Sequence, residues 1–198
     1  MKQTVRVTFC LLFSLFSPSN YAQATKAVAY FAGGCFWCVE GDFEKLKGVT
    51  EVVSGFTGGT VKNPTYKAVG KGNTGHVEAV KVVYDPKEIT YSQLLQAFWR
   101  MINPTDNKGQ FVDRGFQYTT GIFYVNEEQK KLAKKSIVEL STTKKYPSPI
   151  VTPVKEFKAF YAAEDYHQDY YKKNPVRYWY YRNRSGRDDY LKEIWGSK

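Results

Sequence analysis

AVAYFAGGCFWC, residues 27–38, is the stretch that decides both the fold and the chemistry of this chain. Its first half is a short apolar run that predicts a β-strand, and Gly33-Gly34 predicts a tight turn after it. Beyond the turn, residues 36–46 carry apolar side chains at helical spacing. Cys35 is therefore expected at or near the N-terminus of a helix.

Cys35 and Cys38 are the chemically informative pair. A cysteine at a helix N-terminus faces the positive end of the helix dipole and free backbone N–H groups, which predicts a lowered pKa for Cys35. In a helical turn, two residues at this spacing have Cα atoms about 5 Å apart, which permits a disulfide. A nucleophilic sulfur beside a second sulfur that can condense on it suits sulfenic-acid chemistry.

Three other interpretations of the cysteine pair remain open. A structural disulfide across two intervening residues would restrict the unfolded chain little. A zinc site would need further ligands, and the sequence offers only His76 and His167 as histidines. A secreted thiol–disulfide oxidoreductase also fits a CxxC motif after a strand. The bulky Phe36 and Trp37 between the cysteines and the absence of a regular βαβ pattern count against that third class.

The rest of the chain predicts strands and helices in irregular order. The further predicted strands are 49–57, 76–84, 119–125 and, at an edge because of its prolines, 150–156. The further predicted helices follow a Thr90–Gln93 capping box, begin after Asn126, and lie near 163–172 and 187–195. Two polar loops, 61–75 and 103–118, are long enough to be functional. We expect one α+β domain with helices on a mainly antiparallel sheet.

Residues 1–24 predict a secretory signal peptide. Two basic residues precede an apolar run at 7–16, and AQA at 22–24 is a small-x-small cleavage motif. The run is shorter than the roughly 20 residues that span a bilayer, so no stable membrane insertion is expected. We therefore expect a mature domain at 25–198 that is periplasmic or secreted.

The chain is basic, with a formal net charge of +10 at pH 7. Its positive residues are scattered, and no nucleic-acid-binding motif accompanies them. Solvated basic faces are therefore the preferred interpretation, and nucleic acid is not an expected partner. We expect a monomer.

GGCFWC at 33–38 resembles the active-site motif of the type A peptide methionine sulfoxide reductases. Further blocks are similar to those of the family in the same order: NPTY at 63–66, GNTGHVE at 72–78, YDP at 84–86, DRGFQY at 113–118, EDYHQDY at 164–170 and NP at 174–175. The resemblance implies a single catalytic domain, without cofactor or metal. The fold that it implies is a two-layer sandwich of helices on a mixed sheet with a ferredoxin-like core.

The resemblance also implies a role for individual residues. Cys35 would be the nucleophile and Glu78 the general acid. Glu78 lies in a predicted strand between apolar residues, where desolvation would raise its pKa and keep its proton available. Without the resemblance, an exposed strand carboxylate would be an equally good interpretation of Glu78.

The remaining roles concern the substrate. Phe36 and Trp37 resemble the family's seat for the methyl group, although on spacing alone either could be core. Tyr66 and Tyr118 match tyrosines that hydrogen-bond the sulfoxide oxygen, and Asp113 matches a residue that supports the pocket.

The implied reaction reduces the S epimer of methionine sulfoxide, free or in oxidised proteins. Cys35 would become a sulfenic acid, Cys38 would condense on it, and a thioredoxin-like reductant would open the Cys35–Cys38 disulfide. Many family members carry a recycling cysteine near the C-terminus, whereas no cysteine follows Cys38 in these 198 residues. The expectation is therefore that Cys38 takes that role.

Overall fold

A six-stranded sheet frames the molecule in the computed structural model, which describes residues 26–196. Its strands are β1 (Ala27–Gly33), β2 (Val49–Thr57), β3 (Val77–Tyr84), β6 (Thr120–Tyr124), β7 (Val154–Glu156) and β8 (Phe160–Ala162), and a separate ribbon pairs β4 (Gly109–Gln110) with β5 (Asp113–Arg114). The strand order is β7-β6-β1-β3-β2-β8. All neighbours are antiparallel except β6 and β7. The predicted signal peptide at 1–24 lies outside the described residues.

The helices are α1 (Phe36–Phe43), α2 (Tyr66–Gly70), α3 (Tyr91–Trp99), α4 (Glu127–Thr142), α5 (Tyr170–Lys173), α6 (Pro175–Arg184) and α7 (Arg187–Trp195). Single turns of 3-10 helix lie at Phe116–Tyr118 and Asp165–His167. None of the helices within 26–196 combines the length and the apolar character needed to cross a membrane.

The chain order β1-α1-β2-β3-α3-β6 and the spatial order β6-β1-β3-β2 together form a split βαβ arrangement, the ferredoxin-like core. This arrangement confirms the expected α+β fold on a mainly antiparallel sheet. Two predicted helix N-termini are also confirmed: the capping box of Thr90 and Gln93 begins α3, and the Asn126 side chain caps α4.

Alternation along β1 separates the two faces of the sheet. Ala29 and Phe31 join the large core beneath the helices, whereas Tyr30 and Ala32 join a smaller apolar cluster on the opposite face. This larger core fixes α1, whose residues are nearly all buried. The turn that carries Cys35 is thereby held between a central strand and a buried helix.

Four features differ from the sequence predictions. The loop at 61–75 contains the short helix α2, and the sequence predicts neither β8 nor α6. Instead of one helix over 163–172, the chain forms a 3-10 turn and the one-turn helix α5. Gln168 explains the interruption: its side chain accepts from Ser54 N at 2.8 Å and donates to Ser54 O at 2.9 Å, so the chain is pinned to β2. Asp169 then adopts a left-handed conformation, with φ 54°.

Truncation of Phe31 should test the core beneath the helices. Its ring stacks on Phe43 at 5.0 Å and on Phe98 at 4.9 Å between centroids. Because it is fully buried, Phe31→Ala should lower the free energy of unfolding by about 3–5 kcal/mol in urea titrations. Val138→Ala, on the exposed face of α4, should change it by less than ~0.5 kcal/mol. Equal effects of the two substitutions would contradict this description of the core.

Candidate active site

Cys35 lies where β1 ends and α1 begins, as the sequence predicts. It is the N-cap residue of α1, and its carbonyl accepts from Cys38 N at 3.2 Å and Val39 N at 3.4 Å. Gly34 before it has φ +81°, and a Cβ there would lie 2.6 Å from Gln110 Cβ. Only glycine therefore fits this turn, which directs the cysteine into the protein.

A small cavity of about 130 Å³ lies above Cys35. Besides Cys35, its lining includes six other residues that the sequence analysis singles out: Phe36, Trp37, Tyr66, Glu78, Asp113 and Tyr118. The structure thus brings together residues from four separate blocks of sequence. A larger cavity of about 400 Å³ beside α7 contains no cysteine, so the chemistry belongs to the smaller one.

Glu78 projects from β3 toward the start of α1. Its Oε2 accepts from Phe36 N at 3.0 Å, and its side chain is 2% exposed. Burial raises the pKa of Glu78 to about 8; the Phe36 N–H opposes this shift, and the charges of Asp113 and Cys38 add to it. Glu78 is thus protonated at neutral pH, with the raised pKa that the sequence predicts.

The pKa of the Cys35 thiol differs from the sequence prediction. Burial raises the pKa of the Cys35 thiol well above its usual value, and the hydrogen bond with Cys38 and the carboxylates Glu78 and Asp113 raise it further. The prediction of a lowered pKa is therefore wrong for this state. The pKa of Cys35 is raised because the site excludes water and because the Phe36 N–H donates to Glu78 and not to the Cys35 sulfur.

Cys38 is the member of the pair on which a thiolate is favoured. Both cysteines are free thiols, and Cys38 is fully buried. The hydrogen bond from Cys35 lowers the pKa of Cys38 to about 7, with smaller contributions from Arg187 and Arg182, against burial and the charge of Asp42. The pair can therefore carry one proton near neutral pH.

Trp37 is fixed from three sides. Its ring stacks on Tyr170 at 3.8 Å between centroids and meets Tyr181 edge-on at 6.0 Å. Its Nε1–H donates to His167 Nδ1 at 3.0 Å. Burial lowers the pKa of His167, so the ring is neutral and Nδ1 can accept. His167 thus positions Trp37.

Tyr66 and Tyr118 present neutral hydroxyl groups to the cavity. Burial raises the pKa of Tyr66 to about 12 and that of Tyr118 higher still, with the Glu78 charge as the next contribution, and each hydroxyl acts on the pKa of the other. Tyr66 N donates to Glu164 Oε1 at 3.0 Å, which anchors the start of α2. Both tyrosines are therefore O–H donors at any physiological pH.

Asp113 supports a residue that sequence reasoning missed. The Tyr181 hydroxyl donates to Asp113 Oδ2, and Tyr181 completes the lining of the cavity. Burial raises the pKa of Asp113, against this hydrogen bond and the charge of Arg187. With 16 tyrosines in the chain and α6 not predicted, no signal in the sequence distinguished Tyr181.

Two arginines also differ from their prediction. The sequence predicts that the scattered basic residues lie on solvated faces, but Arg187 is fully buried and Arg182 is largely so. Both lower the pKa of Cys38. Within residues 26–196, no group of three His, Cys, Asp or Glu side chains could hold a metal ion.

The comparisons with known proteins agree on one family. A family model described as peptide methionine sulfoxide reductase matches residues 27–198. The peptide methionine sulfoxide reductase MsrA/MsrB of Vibrio cholerae is 56% identical over 181 residues, which are 91% of this chain and 47% of that protein. The chain thus spans about half the length of that relative. The MsrA of Bacillus licheniformis is 48% identical over 87% of this chain and 96% of its own length.

Solved structures give the same result. The reduced form of Mxr1 from Saccharomyces cerevisiae has a TM-score of 0.70 and 33% identity, covering 82% of this chain and 93% of that one. The same yeast protein in complex with Trx2 matches with a TM-score of 0.50 and 25% identity, over 79% and 94% of the two chains. The chain therefore belongs to the peptide methionine sulfoxide reductases, oxidoreductases of the MsrA type.

Proposed function

We propose that the protein reduces the S epimer of methionine sulfoxide, free or in oxidised proteins, to methionine through a Cys35 sulfenic acid. The observation that carries the proposal is the single cavity that unites a buried thiol, a protonated carboxyl group and two neutral tyrosine hydroxyls. Sulfoxide sulfur is a weak electrophile, and its oxygen leaves only when it is protonated. A thiolate therefore has to meet a proton donor in one place.

The first step begins with the shared proton of the cysteine pair. Transfer of the Cys35 proton to Cys38 along their hydrogen bond leaves a thiolate on Cys35. That thiolate attacks the sulfoxide sulfur while Glu78 gives its proton to the oxygen. The S–O bond to the substrate breaks, the thioether leaves, and Cys35 carries the OH group as a sulfenic acid.

The other lining residues orient the substrate. Phe36 and Trp37 offer an apolar wall for the methyl group, and the fixed orientation of Trp37 keeps that wall in place. Tyr66 and Tyr118 would donate their O–H groups to the sulfoxide oxygen. Asp113 acts through Tyr181, whose ring closes the cavity beside Trp37.

Cys38 supplies the second sulfur, through which the Cys35 thiol is regenerated after each turnover. Cys38 condenses on the sulfenic acid with loss of water, and a thioredoxin-like protein then reduces the disulfide. The complex of the yeast relative with Trx2 supports this donor class. Cys35 and Cys38 are 5% and 0% exposed, so the thioredoxin-like donor reaches their disulfide only after a local rearrangement. The family match over residues 27–198 disfavours the thiol–disulfide oxidoreductase alternative as the main activity.

Single-turnover assays of the cysteine variants test the proposal. Without reductant, wild type should release one methionine from the S epimer and lose two thiols. Cys38→Ser should also release one methionine but leave a sulfenic acid that dimedone traps. Cys35→Ser should lose activity by at least about 10³-fold, because the nucleophile is gone. The R epimer is the matched control and should not turn over, and full activity in Cys35→Ser would refute the mechanism.

The role of Glu78 should appear in the pH profile of methionine release. A pKa of about 8 means that the acid form is present below this pH and is lost above it, so the wild-type rate should fall as pH rises through about 8. Glu78→Gln should reduce the rate by about 10²–10⁴-fold and remove that fall. Glu51→Gln, at an exposed position of β2, is the control. An unchanged alkaline fall in Glu78→Gln would assign it to another group.

We also propose that the enzyme works outside the cytoplasm, fed by a membrane-linked thioredoxin-like donor. The support is the signal-peptide pattern of residues 1–24. Expressed in a Gram-negative host, the full chain should be recovered from the periplasm with Thr25 at its N-terminus by mass spectrometry. A variant without residues 2–24 should stay in the cytoplasm. Recovery of the uncleaved chain in the cytoplasm would contradict this location, as would normal activity in cells without an envelope thiol pathway.

A further inference from the structure

Arg187 is a buried cation at the first position of α7. Its side chain is 1% exposed, and its guanidinium donates to Met101 O and, at 3.1 Å, to Gly33 O. The group also lies over the Phe111 ring, 4.6 Å from its centroid. These contacts hold the guanidinium in one place and satisfy part of its hydrogen-bonding capacity.

The charge of Arg187 lacks a carboxylate partner. Within residues 26–196, no ion pair joins it to Asp or Glu, whereas Arg182 pairs with Asp42 at 2.9 Å and with Asp188 at 2.8 Å. A desolvated charge without a counter-ion is costly. A cation at a helix N-terminus is also unfavourable, because that end of the helix dipole is positive. Burial of the Arg187 charge therefore destabilises the fold, and the hydrogen bonds to two carbonyl groups do not offset this destabilisation.

The position of Arg187 indicates which negative charge its guanidinium stabilises. Its carbonyl partner, Gly33, lies two residues before Cys35, and a Cβ on Gly34 would be 3.3 Å from its Nη2. The guanidinium thus packs against the turn that leads into the cysteine pair. Arg187 also lowers the pKa of Cys38, after the hydrogen bond from Cys35. Asp113, the other acid that it affects, keeps a raised pKa and already accepts from Tyr181.

Other charged and titratable groups face Cys38 as well. They are Cys35 and Asp42 on its own helix, Glu78 on β3, and Tyr178, Tyr181 and Arg182 on α6. Glu78 and the two tyrosines are neutral near pH 7. Asp42 and Arg182 form an ion pair, so their charges offset each other. Arg187 is therefore the cation in this group whose charge is not already matched.

We propose that Arg187 is the counter-cation of the Cys38 thiolate and a positioning residue for the recycling half of the reaction. The inference rests on the proposed function and deepens it. After substrate reduction, Cys38 loses the proton that it took from Cys35, and its thiolate attacks the Cys35 sulfenic sulfur. The S–S bond forms, the S–O bond breaks, and the departing hydroxide takes that proton and leaves as water. Cys38 is oxidised as the sulfenic sulfur is reduced, and Arg187 stabilises the negative charge on Cys38 until the bond forms.

The first test titrates Cys38 alone in the Cys35→Ser background, where a serine hydroxyl can still donate to it. Thiolate absorbance in the ultraviolet gives the midpoint. Adding Arg187→Met should raise the midpoint by about one pH unit or more. Each pH unit corresponds to about tenfold less Cys38 thiolate at a pH below the midpoint. Arg187→Lys, which keeps the charge, should restore most of the shift. Arg184→Met, which removes an exposed cation of α6, should leave the midpoint unchanged. A midpoint unaffected by Arg187→Met would overturn the inference.

The second test separates the two halves of a single turnover in the enzyme with both cysteines. In Arg187→Met, methionine release should stay within about twofold of wild type, while disulfide formation at pH 7 should slow by about tenfold. The deficit should shrink as pH rises, because Cys38 then ionises without help. Equal slowing of both steps at every pH would show a merely structural role and overturn the inference.

A third variant covers a failure of folding. If Arg187→Met does not fold, Arg187→Gln keeps a donor for the carbonyls without the charge and should show the same selective loss of disulfide formation. A Gln variant with wild-type disulfide formation would refute the proposal. If wild type releases no methionine, the proposed function fails, but the thiolate titration still decides the assignment of Arg187.

Discussion

One hydrogen bond joins the fold to the chemistry: the N–H of Phe36 donates to the Glu78 carboxyl at 3.0 Å. It links the first residue of α1 to the start of β3, so it exists only when the split βαβ core is assembled. It also decides how the helix N-terminus is used. That N–H serves the proton-holding carboxyl, and the sulfur of Cys35 has to obtain its ionisation elsewhere.

Exclusion of water is the second determinant of the site. Elements after residue 163 pack against α1 through Tyr170, Tyr171 and Tyr178, and Tyr181 completes the lining of the cavity beside Cys35. Burial is the largest cause of the raised pKa values of Glu78, Tyr66 and Tyr118 and of the lowered pKa of His167. All four groups are therefore held neutral. In such surroundings a single unmatched cation has a large effect, and Arg187 and Arg182 both lower the pKa of Cys38, the sulfur on which a thiolate is favoured.

The sequence predicted the elements that carry their own local signals. The capping box at Thr90 and the Asn126 cap gave the starts of α3 and α4, and the resemblance to a family gave most of the cavity lining. The C-terminal region had no comparable signal. The interruption near Gln168 depends on a contact with β2 more than a hundred residues away. Tyr181 and Arg187 acquire their importance only from what packs around them, and no spacing rule could have distinguished them from the other aromatic and basic residues.

The near-complete burial of Cys35 also affects how the protein survives the conditions in which it is needed. A sulfenic acid that meets a peroxide is oxidised further to sulfinic acid, which thiols do not reverse. Here the nearest sulfur is that of Cys38, in the first turn of the same helix, whereas bulk solvent reaches almost none of the Cys35 side chain. The small cavity thus favours internal disulfide formation over reaction with an oxidant that diffuses in from outside. The burial of Cys35 protects the nucleophile from irreversible oxidation.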